Sequence, residues 1–245
     1  MTSPQTSRPT ELTAHLFDLD GVITPTAEVH MRAWASMFDG FLASRGIAEP
    51  YTDADYFAHV DGRPRYDGVR GFLESRGISI PEGEDSDPGD QPQGEETVRG
   101  LGNRKNDEVL ELLREEGVAP YPGTVAYLDA LPEGARLAIV SSSRNAEEVL
   151  RGAGLSDRFE HVVDGNVAAR EGMPGKPAPD TFLRAAALLG VDPSDAVVYE
   201  DAVSGVAAGA AGGFGAVVGV DRGAGAQALT DAGATLVVAD LEELA

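Results

Sequence analysis

A chain of 245 residues that is 42% hydrophobic and 24% charged has the make-up of a folded globular protein, long enough for one large domain or a core with a smaller insertion. Its 41 acidic and 19 basic residues give a formal net charge of −22, which argues against nucleic acid or an anionic membrane surface as a partner but leaves room for a small anion at a local cluster of cations. Cysteine is absent, so disulfides and thiolate metal sites are excluded, and no apolar run reaches the roughly 18 residues of a membrane span.

The first eleven residues lack the charged-then-apolar pattern of a secretory signal. They read as a frayed tail, and a cytoplasmic location is expected. Leu12 to Phe17 is a short apolar run of strand type, followed by Asp18-Leu19-Asp20-Gly21. In an open α/β sheet the carboxyl ends of strands are where ligands bind. Two carboxylates separated by one residue approach a single site there if the chain turns after Asp18, and Gly21 permits the turn. Their mutual repulsion suggests a cation between them, and an all-oxygen environment favours Mg²⁺. Alone, the same four residues are as readily a solvated turn.

A helix is expected from Ala27 to Arg45, capped by Thr26 and stopped at Gly46, with Val29, Ala33, Met37 and Phe41 on its buried face. His30 lies on a neighbouring stripe with Trp34 and reads first as a packed histidine. A second helix covers Asp53 to Val60. A basic loop, Asp61-Gly62-Arg63-Pro64-Arg65, leads into a third helix ending near Gly77. From 82 to 96 there are seven acidic residues and no basic ones among prolines and glycines, the pattern of a mobile surface loop. A helix from Asn103 to Glu116 follows, so residues 28 to about 110 read as helical throughout.

After Tyr121-Pro122-Gly123 the pattern alternates. Helices over 124–131 and 146–153, after Pro177, and between the last strands separate strands at 136–140, 161–163, 196–199, 215–220 and 235–238. Alternation of this kind implies a parallel sheet with right-handed crossovers. The expected fold class is therefore α/β, a doubly wound parallel-sheet core made from residues 1–27 and 115–245, with a helical cap domain of residues 28–114 inserted after the first strand.

Three more strand ends carry polar groups: Ser141, Lys176 in Gly175-Lys176-Pro177-Ala178-Pro179-Asp180, and the pair Glu200-Asp201. Each has a plain alternative as a helix cap, a solvated charge or a turn. Their succession is what carries meaning. Carboxylates hold Mg²⁺ while serine and lysine neutralise the far side of a transferring phosphoryl group.

With these motifs the chain resembles the haloacid dehalogenase superfamily of phosphotransferases, in its β-phosphoglucomutase-like branch. The carriers are Phe17-Asp18-Leu19-Asp20-Gly21-Val22-Ile23-Thr24, Ala27-Glu28 with His30, Arg32-Ala33-Trp34, Arg104-Lys105-Asn106-Asp107, Tyr121-Pro122-Gly123, Ser141-Ser142-Ser143-Arg144-Asn145, the Lys176 segment and Glu200-Asp201. The resemblance implies that Asp18 is a nucleophile forming an aspartyl phosphate and that Asp20 is the general acid and base. It implies Mg²⁺ held by Asp18, the Asp20 main-chain carbonyl and Asp201, with Glu200 beside it. Ser141 and Lys176 would bind the transferring phosphate, Arg65, Ser143, Arg144 and Asn145 the substrate's second phosphate, and Ser142 is a further substrate-binding residue. Lys105 and Asn106 match cap residues facing the site, and His30 one near the cap hinge. The implied substrate is a small phosphorylated sugar, most simply β-glucose 1-phosphate, and the implied state is a monomer.

The chain departs from the family in three places. Pro25 stands where an aspartate is common, Asp61 reverses a lysine of the substrate loop with Arg63 two residues on, and the acidic 82–96 segment has no family counterpart. Two alternatives stay open: a sugar-phosphate phosphatase of the same chemistry, and a non-catalytic domain that binds a sugar phosphate or a partner.

Overall fold

The computed structural model describes residues 9–245, and all but the last three residues of the expected N-terminal tail lie outside them; Pro9–Glu11 form a single 3₁₀ turn. The chain forms two compact units, one made of the chain through Pro25 together with Val118–Ala245, the other of Thr26–Gly117. In chain order the elements are β1 (Ala14–Phe17), α1 (Thr26–Ser44), α2 (Asp53–Asp55), α3 (Arg65–Ser75), α4 (Val98–Glu116), α5 (Pro122–Ala130), β2 (Arg136–Val140), α6 (Ala146–Gly152), β3 (His161–Val163), α7 (Gly165–Glu171), α8 (Asp180–Leu189), β4 (Ala196–Glu200), α9 (Val203–Ala211), β5 (Ala216–Val220), α10 (Ala226–Asp231) and β6 (Leu236–Val238). No helix among the described residues is long and apolar enough to cross a membrane.

The first unit is a six-stranded sheet in the order β3-β2-β1-β4-β5-β6, parallel throughout. β1, β4 and β5 are buried along their whole length, which is why they read as unbroken apolar runs rather than alternating ones. The strand order reverses between β1 and β4, where Phe17 lies opposite Tyr199. That switch point is where an open sheet parts to leave a crevice. His15 is the polar exception inside β1. Its Nδ1 lies 2.9 Å from the Tyr199 hydroxyl, its Nε2 has no hydrogen-bond partner, and burial pushes its pKa down to about 4, so the ring is neutral.

In the helical unit Trp34, Met37, Phe38, Phe41 and Leu42 of α1 cluster with Tyr51, Phe72 and Leu101, while Val29 and Ala33 cluster with Val109 of α4. Phe38 and Phe72 lie with ring centroids 4.1 Å apart. Four expectations change here. Thr26 is the first helical residue, not the one before it. The second helix is a single α turn capped by Thr52, and Tyr56–Val60 continue as a wider π turn. α4 starts at Val98, five residues early, because Thr97 caps it by accepting from Gly100 N at 3.0 Å. The glycines that hid this start are required by close packing: a Cβ on Gly102 would lie 2.7 Å from the Tyr66 ring.

The 82–96 segment is the fourth correction. Composition predicts a mobile loop, but its groups are tied at every turn. Glu82 takes Arg70 at 2.8 Å and Arg99 at 3.1 Å, and Asp87 takes the Thr97 hydroxyl at 2.7 Å. The carbonyls of Asp87 and Gly89 accept Asn103 at 2.8 Å and Arg104 at 2.6 Å, and buried Glu96 meets Arg45 at 3.0 Å. The loop lacks cations of its own and borrows them from the flanking helices. The sequence reading also missed α7, whose start is marked by Asp164 accepting from Asn166 N at 3.0 Å and Val167 N at 2.9 Å.

Candidate active site

β1 delivers Asp18 to the switch point. The Asp18 amide still donates to Tyr199 O at 2.9 Å, so its backbone belongs to the ladder and its position is set by the sheet. The chain then turns back over Leu19–Thr24, closed by Gly21 N on Thr24 O at 2.8 Å and by Ile23 N and Thr24 N on Leu19 O at 2.9 and 3.0 Å. Gly21 has φ +86°, and a Cβ there would run into the Asp201 carboxylate. Only glycine meets both demands. The turn keeps Asp20 close enough for its charge to act on Asp18.

Lys176 binds this edge together. Its buried ammonium donates to Asp18 Oδ1, to Glu200 Oε1 at 2.6 Å and to Val140 O at 3.1 Å, joining the ends of β1, β4 and β2. Burial by itself would lower the lysine, but the Asp18 and Glu200 carboxylates outweigh it and hold the ammonium charged. Asp18 moves the other way. Burial pushes its pKa up, Lys176 pulls it down, and Glu200 and Asp20 push it up again, leaving it well above the usual carboxylate range.

Carboxylate oxygens of Asp18, Glu200 and Asp201 lie within 4.8 Å of one another. Lys176 is shared by the buried Asp18 and Glu200 carboxylates, and the cluster they form with Asp201 could hold a divalent cation. The donors are all oxygens, which fits a hard ion such as Mg²⁺. Within the group, Glu200 is committed to the protein at both oxygens, Oε1 to Lys176 and Oε2 to Ala202 N at 2.8 Å.

Ser141 follows β2, buried, its amide on Val163 O at 3.0 Å. Its Oγ accepts Ser143 N at 3.0 Å, and Ser143 Oγ accepts Asn145 N at 3.1 Å. A hydroxyl that accepts in this way keeps its proton for another oxygen. The Ser141–Asn145 loop is braced by the unpredicted α7: Gly165 N donates to Ser143 O at 2.9 Å and Asn166 Nδ2 to Arg144 O at 2.8 Å.

The remaining candidates belong to the helical unit and form two groups there. Lys105, buried on α4, lies with Nζ 2.7 Å from His30 Nδ1 and 4.9 Å from the centroid of the Trp34 ring. The ammonium donates, so His30 Nδ1 accepts and the ring proton is on Nε2. Arg65 donates to Asn106 Oδ1 at 2.6 Å and to Asn103 Oδ1 at 3.4 Å, and Asn103 also accepts the Tyr66 hydroxyl at 3.0 Å. The sequence reading missed Asn103. Its only signal is its place one turn before Asn106 on the same helix.

The family model of haloacid dehalogenase-like hydrolases matches residues 12–213. A β-phosphoglucomutase of Mycobacterium bovis is 51% identical over 246 residues, spanning 96% of this chain and 92% of its own length. The fructose-1-phosphate phosphatase YqaB of Escherichia coli is 30% identical over 204 residues, spanning 82% and 93%. Among solved structures, β-phosphoglucomutase from Clostridium difficile superposes with a TM-score of 0.74 at 27% identity, covering 96% of this chain and 93% of that one.

Proposed function

The chain belongs to the haloacid dehalogenase superfamily, in its β-phosphoglucomutase-like branch, and from that premise we propose that it is a Mg²⁺-dependent phosphotransferase that converts β-glucose 1-phosphate to glucose 6-phosphate through an aspartyl phosphate. The observation that carries this reading is Lys176 bridging Asp18 and Glu200 at the switch point of the sheet. A nucleophilic carboxylate, a fixed cation and a metal-type acid cluster converge where a phosphoryl group would have to be neutralised on several sides.

Asp18 attacks phosphorus in line, forming a P–O bond to its carboxylate as the bond to the sugar oxygen breaks. Asp20 gives its proton to that leaving oxygen, then withdraws one from the hydroxyl that attacks the aspartyl phosphate. In a mutase that hydroxyl is the 6-hydroxyl of β-glucose 1-phosphate, so the 1,6-bisphosphate forms, turns round and gives its 1-phosphoryl group to Asp18, releasing glucose 6-phosphate. Lys176 and Ser141 hold the transferring oxygens, with Glu200 fixing Lys176. Asp18, Asp201 and the Asp20 carbonyl, with Glu200 beside them, would hold Mg²⁺, which would supply positive charge facing the phosphoryl oxygens.

Arg65, Ser142, Ser143, Arg144 and Asn145 are assigned to the non-transferring phosphate, and His30, Lys105 and Asn106 to the rest of the substrate. The helical unit is the cap in this reading, and the enzyme works as a monomer. The phosphatase relative favours a second outcome, in which water takes the phosphoryl group from Asp18.

One coupled assay separates the two. β-Glucose 1-phosphate is supplied with Mg²⁺ and catalytic glucose 1,6-bisphosphate, and glucose 6-phosphate and free phosphate are followed together. Glucose 6-phosphate without free phosphate is expected. Free phosphate alone makes the enzyme a phosphatase, and neither product means that the assigned sugar is wrong.

A further inference from the structure

Three consecutive carbonyls of the turn after Asp20 are held by three different donors of the same unit. Gly21 O accepts Arg222 Nε at 3.0 Å, Val22 O accepts Thr124 Oγ1 at 2.7 Å, and Ile23 O accepts Tyr121 N at 2.9 Å. Tyr121 and Thr124 come from the stretch where the chain re-enters the α/β unit. Arg222 comes from the loop that leaves β5.

The guanidinium is engaged on every side. Nη1 donates to Ala239 O at 3.0 Å, Nη2 pairs with Asp240 Oδ2 at 3.0 Å, and Cζ lies 3.9 Å from the centroid of the Tyr121 ring. A planar fork fixed at three places has little freedom at its remaining nitrogen. That nitrogen holds the one carbonyl in the turn that belongs to a glycine, the residue with the widest backbone freedom, directly after Asp20 and against Asp201.

We infer that Arg222 is a positioning residue for the reaction: by fixing Gly21 O it sets the turn that carries Asp20 and the approach of that turn to Asp201. The inference rests on the reading that Asp18 and Asp20 are the reacting carboxylates. The competing role is purely structural, with Arg222 pinning the C-terminal segment through Ala239 and Asp240. The two roles involve different ends of one side chain, so they can be separated.

The test compares wild type, Asp18→Asn, Arg222→Ala, Arg222→Lys and Asp240→Asn. Each is assayed with Mg²⁺ on β-glucose 1-phosphate plus glucose 1,6-bisphosphate, or on whichever phosphate ester a panel shows the wild type to turn over, and kcat, KM and Tm are recorded. Misplacement of a reacting group by about 1 Å costs about 10²-fold, so Arg222→Ala is expected to lose about that in kcat with KM nearly unchanged. Added guanidinium chloride at low concentration should restore part of the loss. Arg222→Lys should fall between, because an ammonium cannot serve all three acceptors in one plane. Asp240→Asn, which removes the charge paired with Arg222 Nη2 and weakens the Asp240 cap on Glu242 N while leaving the Gly21 bond, should melt lower than wild type and keep its kcat.

The inference is overturned if Arg222→Ala keeps wild-type kcat, or if Arg222→Ala and Asp240→Asn lose kcat and Tm in the same proportion. If Arg222→Ala does not fold, equal kcat in Arg222→Lys and Asp240→Asn overturns it. A wild type that turns over no ester, or an Asp18→Asn as active as wild type, sinks the functional reading instead and takes the inference with it.

Discussion

Acidic residues gather in two regions, the segment between α3 and α4 and the carboxyl edge of the sheet, and each region balances its charge differently. In the segment, Glu82 is shared by Arg70 and Arg99, Asp85 meets Arg99, and Glu96 meets Arg45. The Arg70 hydrogen bond holds the Glu82 carboxyl below its ordinary range. At the sheet edge, Asp18 and Glu200 share Lys176 with Asp201 close by, and Asp18 is pushed up instead of down. Counting acidic residues finds both regions. Their cationic partners and the depth of burial separate paired surface carboxylates from the cluster proposed to hold a cation and a phosphoryl group.

The comparison is most easily broken at Asp18. Under the proposed role of Asp18 as nucleophile, Asp18→Asn should lower turnover by about 10³-fold or more, since a nucleophile has no substitute. In the presence of chelator the same variant should melt no lower than wild type, because it removes part of the buried excess charge. A clear drop in its Tm would mean that Asp18 is balanced after all. Lys176→Met tests the other partner. It leaves Asp18 and Glu200 buried without a counter-charge, and breaking a buried pair costs about 3–5 kcal/mol, readable as a large fall in urea midpoint alongside lost activity. Wild-type values in that variant would refute the bridging role.

Mg²⁺ gives an effect of intermediate size. Calorimetry with chelator and then with saturating Mg²⁺ should show the wild type gaining about 2–3 kcal/mol at roughly 100 times Kd, and Asp201→Asn gaining much less. Equal gains would place the ion elsewhere. The smallest effect belongs to the segment. Arg99→Ala removes partly exposed pairs and should cost about 0.5–1 kcal/mol, with kcat unchanged. That cost has a pH signature. A carboxyl whose folded pKa lies below its unfolded value stabilises fully above the unfolded value, and the contribution fades as pH falls through the folded one. The stability gap between wild type and Arg99→Ala should therefore be present at neutral pH and close as pH drops below about 4.5, the ordinary Glu value. A gap that persists in acid would mean that Arg99 acts by packing, for instance against the Tyr66 ring it covers at 4.4 Å.

Legibility followed burial. β1, β4 and β5 were readable because both faces are covered, so apart from His15 and the terminal Glu200 their residues carry no charged or strongly polar side chain. The polar residues that interrupt such runs at their ends, Asp18, Ser141 and Glu200-Asp201, therefore stand out, and the fold collects them by placing every strand end on one edge. Asn103, Glu96 and Arg222 gave no such signal. Each is an ordinary polar residue whose role comes from a partner many positions away: Arg65 for Asn103, Arg45 for Glu96, and the carbonyl of Gly21 for Arg222. The 82–96 segment misled for the same reason. Its composition describes its own charges, while its order comes from Arg70, Arg99, Arg45, Asn103 and Arg104 outside it.

The amino-acid sequence by itself determined the alternation of strands and helices and the set of strand-end groups, because periodicity, glycine and proline punctuation and short motifs act within a few residues of chain. Only the tertiary structure decided which of these groups share charge. The Lys176 bridge, the commitment of both Glu200 oxygens, the Lys105–His30 pair and the Arg222 hold on Gly21 all join residues more than about one helix apart, or place a side chain against a main-chain atom. Electrostatic and hydrogen-bond energies depend on separations of a few ångströms and on exclusion of water, and neither is a property of any single stretch of sequence.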